Sequence, residues 1–575
     1  MYRSRGAYHN RSGASPSLCA QPHRSDRLCY KHSVSRPPSL YEKVLARIGD
    51  DGELVKARPP RASAGVVLWR ENGSGIEVFW IQRADELAFM GGWYAFPGGG
   101  WSKRDVDVPV SQQPRGIVGA PARAALPSGV LDGVELDPIL PPGLVASVFR
   151  ELFEETGLLP CRDREIEAQK LEIARTSLLR REIDFASLVR ELKIELDASR
   201  LVYAGRWITP PIGPIRFDNR FFLLHWPRDE PNQPRVIPGE LARGEWTHPA
   251  TAIERWKREG LITAPPILHI LEVLASDGPE VGLPRLLSPS EANLGPYRRI
   301  EFRPGVLMFP LKTPTLPPAA TTNAFVLGTR ETVLIDPGTP FETEIERMVE
   351  SIEAQKARLG RRLSAIWLTH HHPDHVGGVQ ALRAALEVPV CAHRATAERL
   401  AAIGIEVDRE LQDDQVVELE GDPSFPVRIL HTPGHASGHL CFFDETFGSL
   451  IAGDLVAGMG TIVIDPPEGN MKEYLRSLRR VLDLAPTTLF PAHGPAIKNA
   501  TAKLVEYLEH RQRREARILE VWRSGRRVPG EMIEDIYDEI PDAAIPLAER
   551  QIVAHLDHLR DQGLLGDTIH RGSKA

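Results

Sequence analysis

Between Leu368 and Gly378 the chain reads LTHHHPDHVGG, so four histidines and an aspartate fall within six consecutive residues. Packing gives no reason to cluster imidazoles, whereas a neutral imidazole is a good zinc ligand. The preceding IWLT reads as a buried strand feeding a loop. In an extended segment side chains at i and i+2 share a side, so His370 and His372 can hold one ion while His371 points away. Pro373 breaks the strand, and Asp374 and His375 then sit where the next helix starts, able to turn toward a second ion. A zinc ion takes about four ligands at roughly 2.0–2.2 Å, so this stretch alone cannot complete two sites. The fold must bring further donors in from distant parts of the chain.

Suitable donors follow apolar stretches: His431, His435 and His439 in HTPGHASGH, Asp454 in LIAGDLVAG, His493 in LFPAHGP and Asp336 in VLIDPG. NAFVLG, ETVLIDPG, SAIWLTHHH, PVCAH, PVRILHTPGH, LCFFDE, GSLIAGD and TTLFPAHG read as strands, with a helix near 341–359. Strands that deliver polar residues from their C-terminal ends suit an α/β sandwich with the site along one edge.

The order H-x-H-x-D-H, TPGH, GD, PAHG resembles the metallo-β-lactamase fold of hydrolases, an αββα sandwich. That resemblance implies two Zn(2+): the first on His370, His372 and His435, the second on Asp374, His375 and His493, with Asp454 bridging them. It implies that Asp336 steadies the histidine loop, that His439 contacts substrate or the ligand set, that His371 and His431 are not ligands, and that Asp374 is catalytic. Two zinc ions about 3.5–4 Å apart lower the pKa of a shared water toward ~7, and the hydroxide attacks a carbonyl or phosphorus. Lactams, thioesters, lactones and phosphodiesters are all served by this fold, so the fold does not choose a substrate. Only 18 residues separate His435 from Asp454, which leaves no room for the long insert of the nucleic-acid-processing β-CASP branch.

The segment from IDPPEGNMKEYL through LFPAHGP into EHRQRREARIL resembles the β-lactamase-like 2 subfamily, which implies single-stranded RNA as substrate and a small, helical, winged-helix-like C-terminal domain. REARILEVWRSG, PGEMIEDIYDEI and PLAERQIVAHLDHLRDQGLLG read as its three helices. Arg511, Arg513, Arg514, Arg517, Arg523, Arg526 and Arg527 give this end a basic bias compatible with phosphate contacts, or a solvated charged face on a capping bundle.

In the first half, ASAGVVLWR and IEVFWIQRA read as two strands across a turn, GGWYAFPGGGW as a glycine-rich loop, and LVASVFRELFEETGLL as a helix stopped by Gly157. Glu151, Glu154 and Glu155 lie at i, i+3 and i+4 and share a helical face. Three carboxylates so close repel one another without a cation, and hard oxygens suit Mg(2+) or Mn(2+). FPGGGW with RELFEETGLL resembles the Nudix box, in an α/β/α sandwich, on Gly98, Gly99, Asp105, Arg150, Glu151, Glu154, Glu155 and Gly157. Glu151 and Glu154 are then catalytic as well as metal-binding. Asp105 stands where the motif has Glu, and 44 residues rather than seven separate it from Arg150. Split boxes of this kind resemble the coenzyme A and acyl-CoA diphosphatase branch, in which Glu240 or Glu245 could add a ligand or base.

At 575 residues the chain is too long for one core. We expect a multidomain α/β protein: a basic, disordered stretch 1–60 (a transit peptide or an early start codon reads the same way), a Nudix domain 61–275 with an inserted loop 106–143, a linker 276–298, a metallo-β-lactamase domain 299–505 and a winged-helix-like domain 506–575. Five cysteines without paired spacing and no apolar run near the ~18 residues of a membrane span point to a reducing, cytoplasmic setting. A net charge of −7 argues against a nucleic-acid-coating protein, though not against a local basic module. The expected activity is a bifunctional metal-dependent hydrolase: zinc hydroxide on RNA phosphodiesters in the C-terminal half, and a nucleoside diphosphate derivative such as CoA in the N-terminal half. Alternatives are a thioesterase paired with a CoA pyrophosphatase, and a nucleotide-sensing nucleic-acid binder, which need not keep its metal ligands. Expected partners are a small diphosphate or thioester substrate and single-stranded RNA, with a homodimer as a candidate assembly and no membrane.

Overall fold

A computed structural model describes residues 59–565 apart from 74, 88–89, 117–139, 163–165, 211–214, 317, 320, 538–539 and 541–543. Nearly all of the expected N-terminal stretch and most of the expected insertion lie outside the described residues. The Arg61–Asn72 and Gly75–Arg83 strands form the expected hairpin, closing at Asn72 and Gly75. They enter a seven-stranded sheet in which Arg61–Asn72 runs parallel to Phe217–His225, while Leu201–Ile208 and Leu241–Thr247 pair antiparallel on either side. The Leu144–Thr156 helix packs Phe149, Leu152 and Phe153 on one face of this sheet. The Pro249–Glu259 and Pro265–Val281 helices cover the other. This is the α/β/α sandwich. Burying each such large apolar side chain stabilises the sandwich by about 1.5–3 kcal/mol.

Residues 276–298, read as a linker from their Pro, Gly and Ser content, are ordered and packed instead. The Pro265–Val281 helix continues through them with a break at Gly278, Leu283–Leu287 forms another helix, and Leu286, Leu287, Leu294 and Tyr297 are buried. Proline at a first helical turn starts a helix rather than preventing one, which composition alone does not distinguish.

The second half stacks two sheets. One has seven strands in sequence order from Glu301–Arg303 to Arg409–Glu410, and the other has five from Val416–Leu419 to Thr488–Pro491. Met308, Phe325, Ile335 and Trp367 of the first face Phe425, Ile429, Phe442 and Phe490 of the second. The Glu342–Leu359 helix covers one outer face and the Met471–Asp483 helix the other, completing the αββα sandwich. Arg362–Trp367 runs parallel to both neighbours, the strands ending at Ile335 and Gly453 pair parallel on one side and antiparallel on the other, and all three empty at one edge, where the polar loops collect.

The C-terminal domain is helical among the described residues: Ala500–Arg523, Pro529–Ile536 and Ile545–Asp561 enclose Ile518, Trp522, Met532, Ile552 and Leu556. The first is a continuous 24-residue helix that crosses the expected boundary at 505. The two sandwiches share a seam. Trp93 and Ile262 of the first pack into the inter-sheet core of the second. Trp256 Nε1 donates to Phe302 O at 3.1 Å, and Arg299 bridges Glu272 and the fully buried Glu301, each at 2.8 Å. No helix among the described residues is long and apolar enough to cross a membrane.

Candidate metal centre and carboxylate cleft

The Arg362–Trp367 strand delivers His370 and His372 to the sheet edge, and a short Pro373–Val376 turn of helix presents Asp374 and His375. His370 Nε2 and His435 Nε2 lie 2.8 and 2.9 Å from His372 Nδ1, so three ring nitrogens converge. Asp374, His375 and His493 form a second group. Asp454 stands between them: its Oδ1 is 3.3 Å from His493 Nε2 and 3.7 Å from His375 Nε2, and its Oδ2 is 3.4 Å from His435 Nε2.

Which nitrogen faces the centre is set by what the other one does. Asp336, in a left-handed conformation at φ 49°, accepts from Thr369 N, Thr369 Oγ1 and His375 Nδ1 at 2.8, 2.6 and 2.8 Å. With its proton given to Asp336, the Thr369 hydroxyl accepts from His370 Nδ1 at 2.9 Å. His435 Nδ1 donates to Val463 O at 2.7 Å, and His493 Nδ1 to Thr321 O at 3.4 Å. Each arrangement turns an Nε2 lone pair inward, as metal ligation needs. His375 Nε2 and Asp454 Oδ1 are buried with no hydrogen-bond partner. Orphaned polar atoms of this kind are rare, and an N/O donor set of imidazoles and carboxylates fits divalent zinc.

Electrostatics divide the two groups: without an ion the carboxylates favour a proton on His375 and His493, whose place a metal would take. Burial opposes charge on His375, but Asp336, Asp374 and Asp454 overcome it and push the imidazole up to about 10. Burial would raise Asp454, yet His493 and His375 hold it well below the usual carboxylate range. Burial and the neighbouring imidazoles keep His370 and His372 well below theirs, as neutral donors. His439 lies outside the converging groups. Its Nε2 accepts from Asp454 N at 3.0 Å and its Nδ1 donates to Thr432 Oγ1 at 2.8 Å, and burial pushes it down to about 3. His371 turns to Glu468 at 3.4 Å, and His431 stacks on His393 and contacts Ser437 O. Thr369, Val463 and Glu468 were not singled out from sequence. A threonine beside the histidine run was the one available signal, because a backbone carbonyl leaves no trace in a side-chain pattern.

In the first sandwich the split box closes in space. A 3-10 turn at Lys103–Asp107 brings Asp105, 1% exposed, to Arg150: Nε to Oδ1 at 2.7 Å and the terminal NH2 to Oδ2 at 3.1 Å. Arg150 also meets Glu151 at 2.7 Å and Glu154 at 3.4 Å. Glu155 accepts from Gly98 N at 2.7 Å. Gly98 itself is confined to glycine by its strand partner, since a Cβ there would fall 2.2 Å from Ala64 O. Burial pushes Glu151 up to about 7, with Glu154 adding to it against Arg150. Burial also raises Glu154, and with Glu151 nearby it raises Glu155 well above the usual range. These hard oxygens suit Mg(2+) by chemistry, but among the described residues no three of them converge as the histidine groups do. Glu240 contributes repulsion to all three glutamates while pairing with Arg83, whereas Glu245 is held by Arg255 and Trp80.

The C-terminal arginines are largely occupied. Arg511 is buried and donates to Ile462 O, Arg514 and Arg517 donate to Ile536 O and Asp535 O, Arg526 pairs with Asp535, and Arg527 lies over Trp522. Only Arg511 of these is buried; Arg514 and Arg517 cap carbonyls of the next helix, while Arg513, Arg517, Arg523 and Arg526 remain exposed.

Three family models tile the chain: the NUDT19 Nudix domain over residues 54–274, the metallo-β-lactamase superfamily over 318–493, and the β-lactamase-associated winged helix domain over 529–567. A β-lactamase-like protein 2 homolog of Drosophila melanogaster is 31% identical over 42% of this chain and 84% of its own length. Its counterpart in Caenorhabditis elegans is 27% identical over 42% and 80%. An atrochrysone carboxyl ACP thioesterase of Aspergillus fumigatus is 31% identical over 38% of this chain and 69% of that one. The chain is a hydrolase of the metallo-β-lactamase superfamily, joined to a Nudix domain and a β-lactamase-associated winged helix.

Proposed function

We propose that the metallo-β-lactamase half is a two-zinc hydrolase acting on an acyl thioester, and that the Nudix half cleaves the diphosphate of a related nucleotide conjugate such as CoA. His370, His372 and His435 would hold the first ion and Asp374, His375 and His493 the second, with Asp454 available to both. The observation that carries the reading is Asp454, with one oxygen toward His375 and His493 and the other toward His435. Such a centre supplies a water acidified toward pKa ~7 and stabilises charge developing on the substrate. Asp374, with Thr322 Oγ1 3.3 Å from its Oδ2, is placed to take the proton that the attacking water gives up. In the Nudix half Glu151, Glu154 and Glu155 would hold Mg(2+) or Mn(2+), with Glu151 and Glu154 exchanging their Arg150 contacts for the ion.

The thioester reading is supported by the likeness of this half to an atrochrysone carboxyl ACP thioesterase, 31% identical over 69% of that protein's length. RNA phosphodiesters stand as the second reading, favoured by the extent of the likeness to the β-lactamase-like protein 2 homologs. Full-length protein assayed on acyl-CoA and on single-stranded RNA, beside His372→Ala and Glu154→Ala, separates them. Thioester cleavage lost only in His372→Ala, with CoA diphosphate cleavage lost only in Glu154→Ala, is expected. RNA cleavage lost in His372→Ala, with acyl-CoA untouched, overturns the thioester reading.

A further inference from the structure

The loop from Asp454 to Asn470 has no helix or strand of its own, yet it frames the metal centre. It begins with Asp454. Gly458 N donates to His493 O at 2.7 Å, Val463 O orients His435, and Glu468 meets His371 and Arg399. Its backbone is held from outside, by side chains of the two long C-terminal helices. Ala457 N donates to the Tyr507 hydroxyl at 2.8 Å, Ile462 O accepts from Arg511 at 2.5 Å, Ile464 N donates to Gln551 Oε1 at 2.9 Å, and Asp465 accepts from Arg550 Nε at 2.5 Å. Ile462 and Ile464 flank Val463, so the carbonyl that fixes His435 is gripped on both sides. Arg511 and Gln551 are both buried, and the Arg511 guanidinium lies 5.2 Å from the Tyr474 ring, whose hydroxyl donates to Leu455 O beside Asp454.

We infer that the C-terminal helices are a clamp that sets metal affinity at the first site, with Arg511 and Gln551 as positioning residues acting through Val463 O on the His435 imidazole. The inference rests on His435 being a metal ligand. The four remote contacts fix a loop that would otherwise sample many conformations, and a histidine whose Nδ1 acceptor wanders presents its Nε2 lone pair less often. Removing the acceptor behind a metal-bound histidine typically weakens metal binding about 10–100-fold.

Zinc competition against a chromophoric chelator tests this on the full chain. Gln551→Leu is expected to weaken one of two bound zinc ions about tenfold or more. Gln551→Glu, which keeps an oxygen for Ile464 N, should recover most of that loss, as a mere packing role would not. Arg550→Ala, at a partly exposed pair with Asp465, should shift affinity less but in the same direction and serves if Gln551→Leu does not fold. Wild-type affinity in whichever of these two variants folds overturns the clamp. If wild type itself binds no zinc, or His435→Ala binds as wild type does, the ligand assignment falls and the clamp with it.

Discussion

The two clefts solve one electrostatic problem in different ways. In the lactamase half the donors already converge, with His370, His375, His435 and His493 each turned by an acceptor behind it, and no guanidinium belongs to either converging group among the described residues. In the Nudix half Arg150 stands among the acids as an internal counter-ion, and one glutamate leans on a backbone amide. The first cleft is preorganised for cations. The second is neutralised by the chain itself and has to trade an arginine contact for an ion. Preorganisation lowers what binding must reorganise, so the lactamase centre should hold metal tightly and the Nudix cleft only alongside substrate phosphate.

The largest effect should come from removing the internal counter-ion. Arg150→Ala leaves Asp105, buried at 1% exposure, with no guanidinium beside it. Breaking such a buried pair from one side costs about 3–5 kcal/mol. Urea unfolding followed on the Nudix half should show that loss, while zinc binding by the other half stays as it was. A loss below about 1 kcal/mol, the range of a surface ion pair, would mean that Arg150 is not the counter-ion proposed. Next comes Asp336→Asn, which keeps the shape but removes the charge that holds Thr369 and His375. Zinc affinity should fall about 10–100-fold with little change in secondary structure. An unchanged affinity would erase the difference in preorganisation between the clefts.

What could be read from sequence follows the same division. The metal-capable residues of the lactamase half were legible because HHHPDH, TPGH, GD and PAHG each place a donor just past a strand end, and those ends gather at one edge of the sandwich. Asp105 was legible as a motif position but not as Arg150's partner, since that depends on the 3-10 turn carrying it across an interruption of 44 residues. The arginines of the C-terminal helices read as a surface, yet Arg511 is buried. A charge pattern does not reveal which carbonyls a folded neighbour will offer. Val463 was invisible for the opposite reason, because every residue has a carbonyl.

Titration separates the clefts by pH window. Glu151 has its folded pKa raised from 4.5 to about 7, so the stability it contributes is complete below about 4.5 and lost as pH rises through about 7. His375 is raised from 6.5 to about 10, so its contribution is complete below about 6.5 and lost as pH rises through about 10. His370, His372 and His435 are depressed and act oppositely: their contribution is present above about 6.5 and lost on acidification. The metal-free Nudix half should therefore lose stability first as pH is raised from 5 to 8. On the proposed reading magnesium would bind the charged glutamates, so its stabilising shift in melting temperature should be larger above pH 7 than near pH 5. Equal shifts at both would remove Glu151 from the cation site.

The smallest expected effect is the most local. A Cβ at Gly99 would fall 2.5–2.6 Å from all three atoms of the Glu151 carboxylate group, whereas one at Gly100 meets nothing within 4 Å. The atoms struck at Gly99 are the far end of a flexible side chain, so the backbone need not move. Gly99→Ala should fold normally, push Glu151 aside and weaken magnesium-dependent diphosphate cleavage several-fold. Gly100→Ala, one residue on in the same GGG strand, should match wild type in both respects. Melting temperature and diphosphate turnover of the pair decide whether the glycine run exists to give Glu151 room. If both variants lose stability alike, glycine is serving the strand pairing with Ser63 and Ala64, and the carboxylate is a bystander.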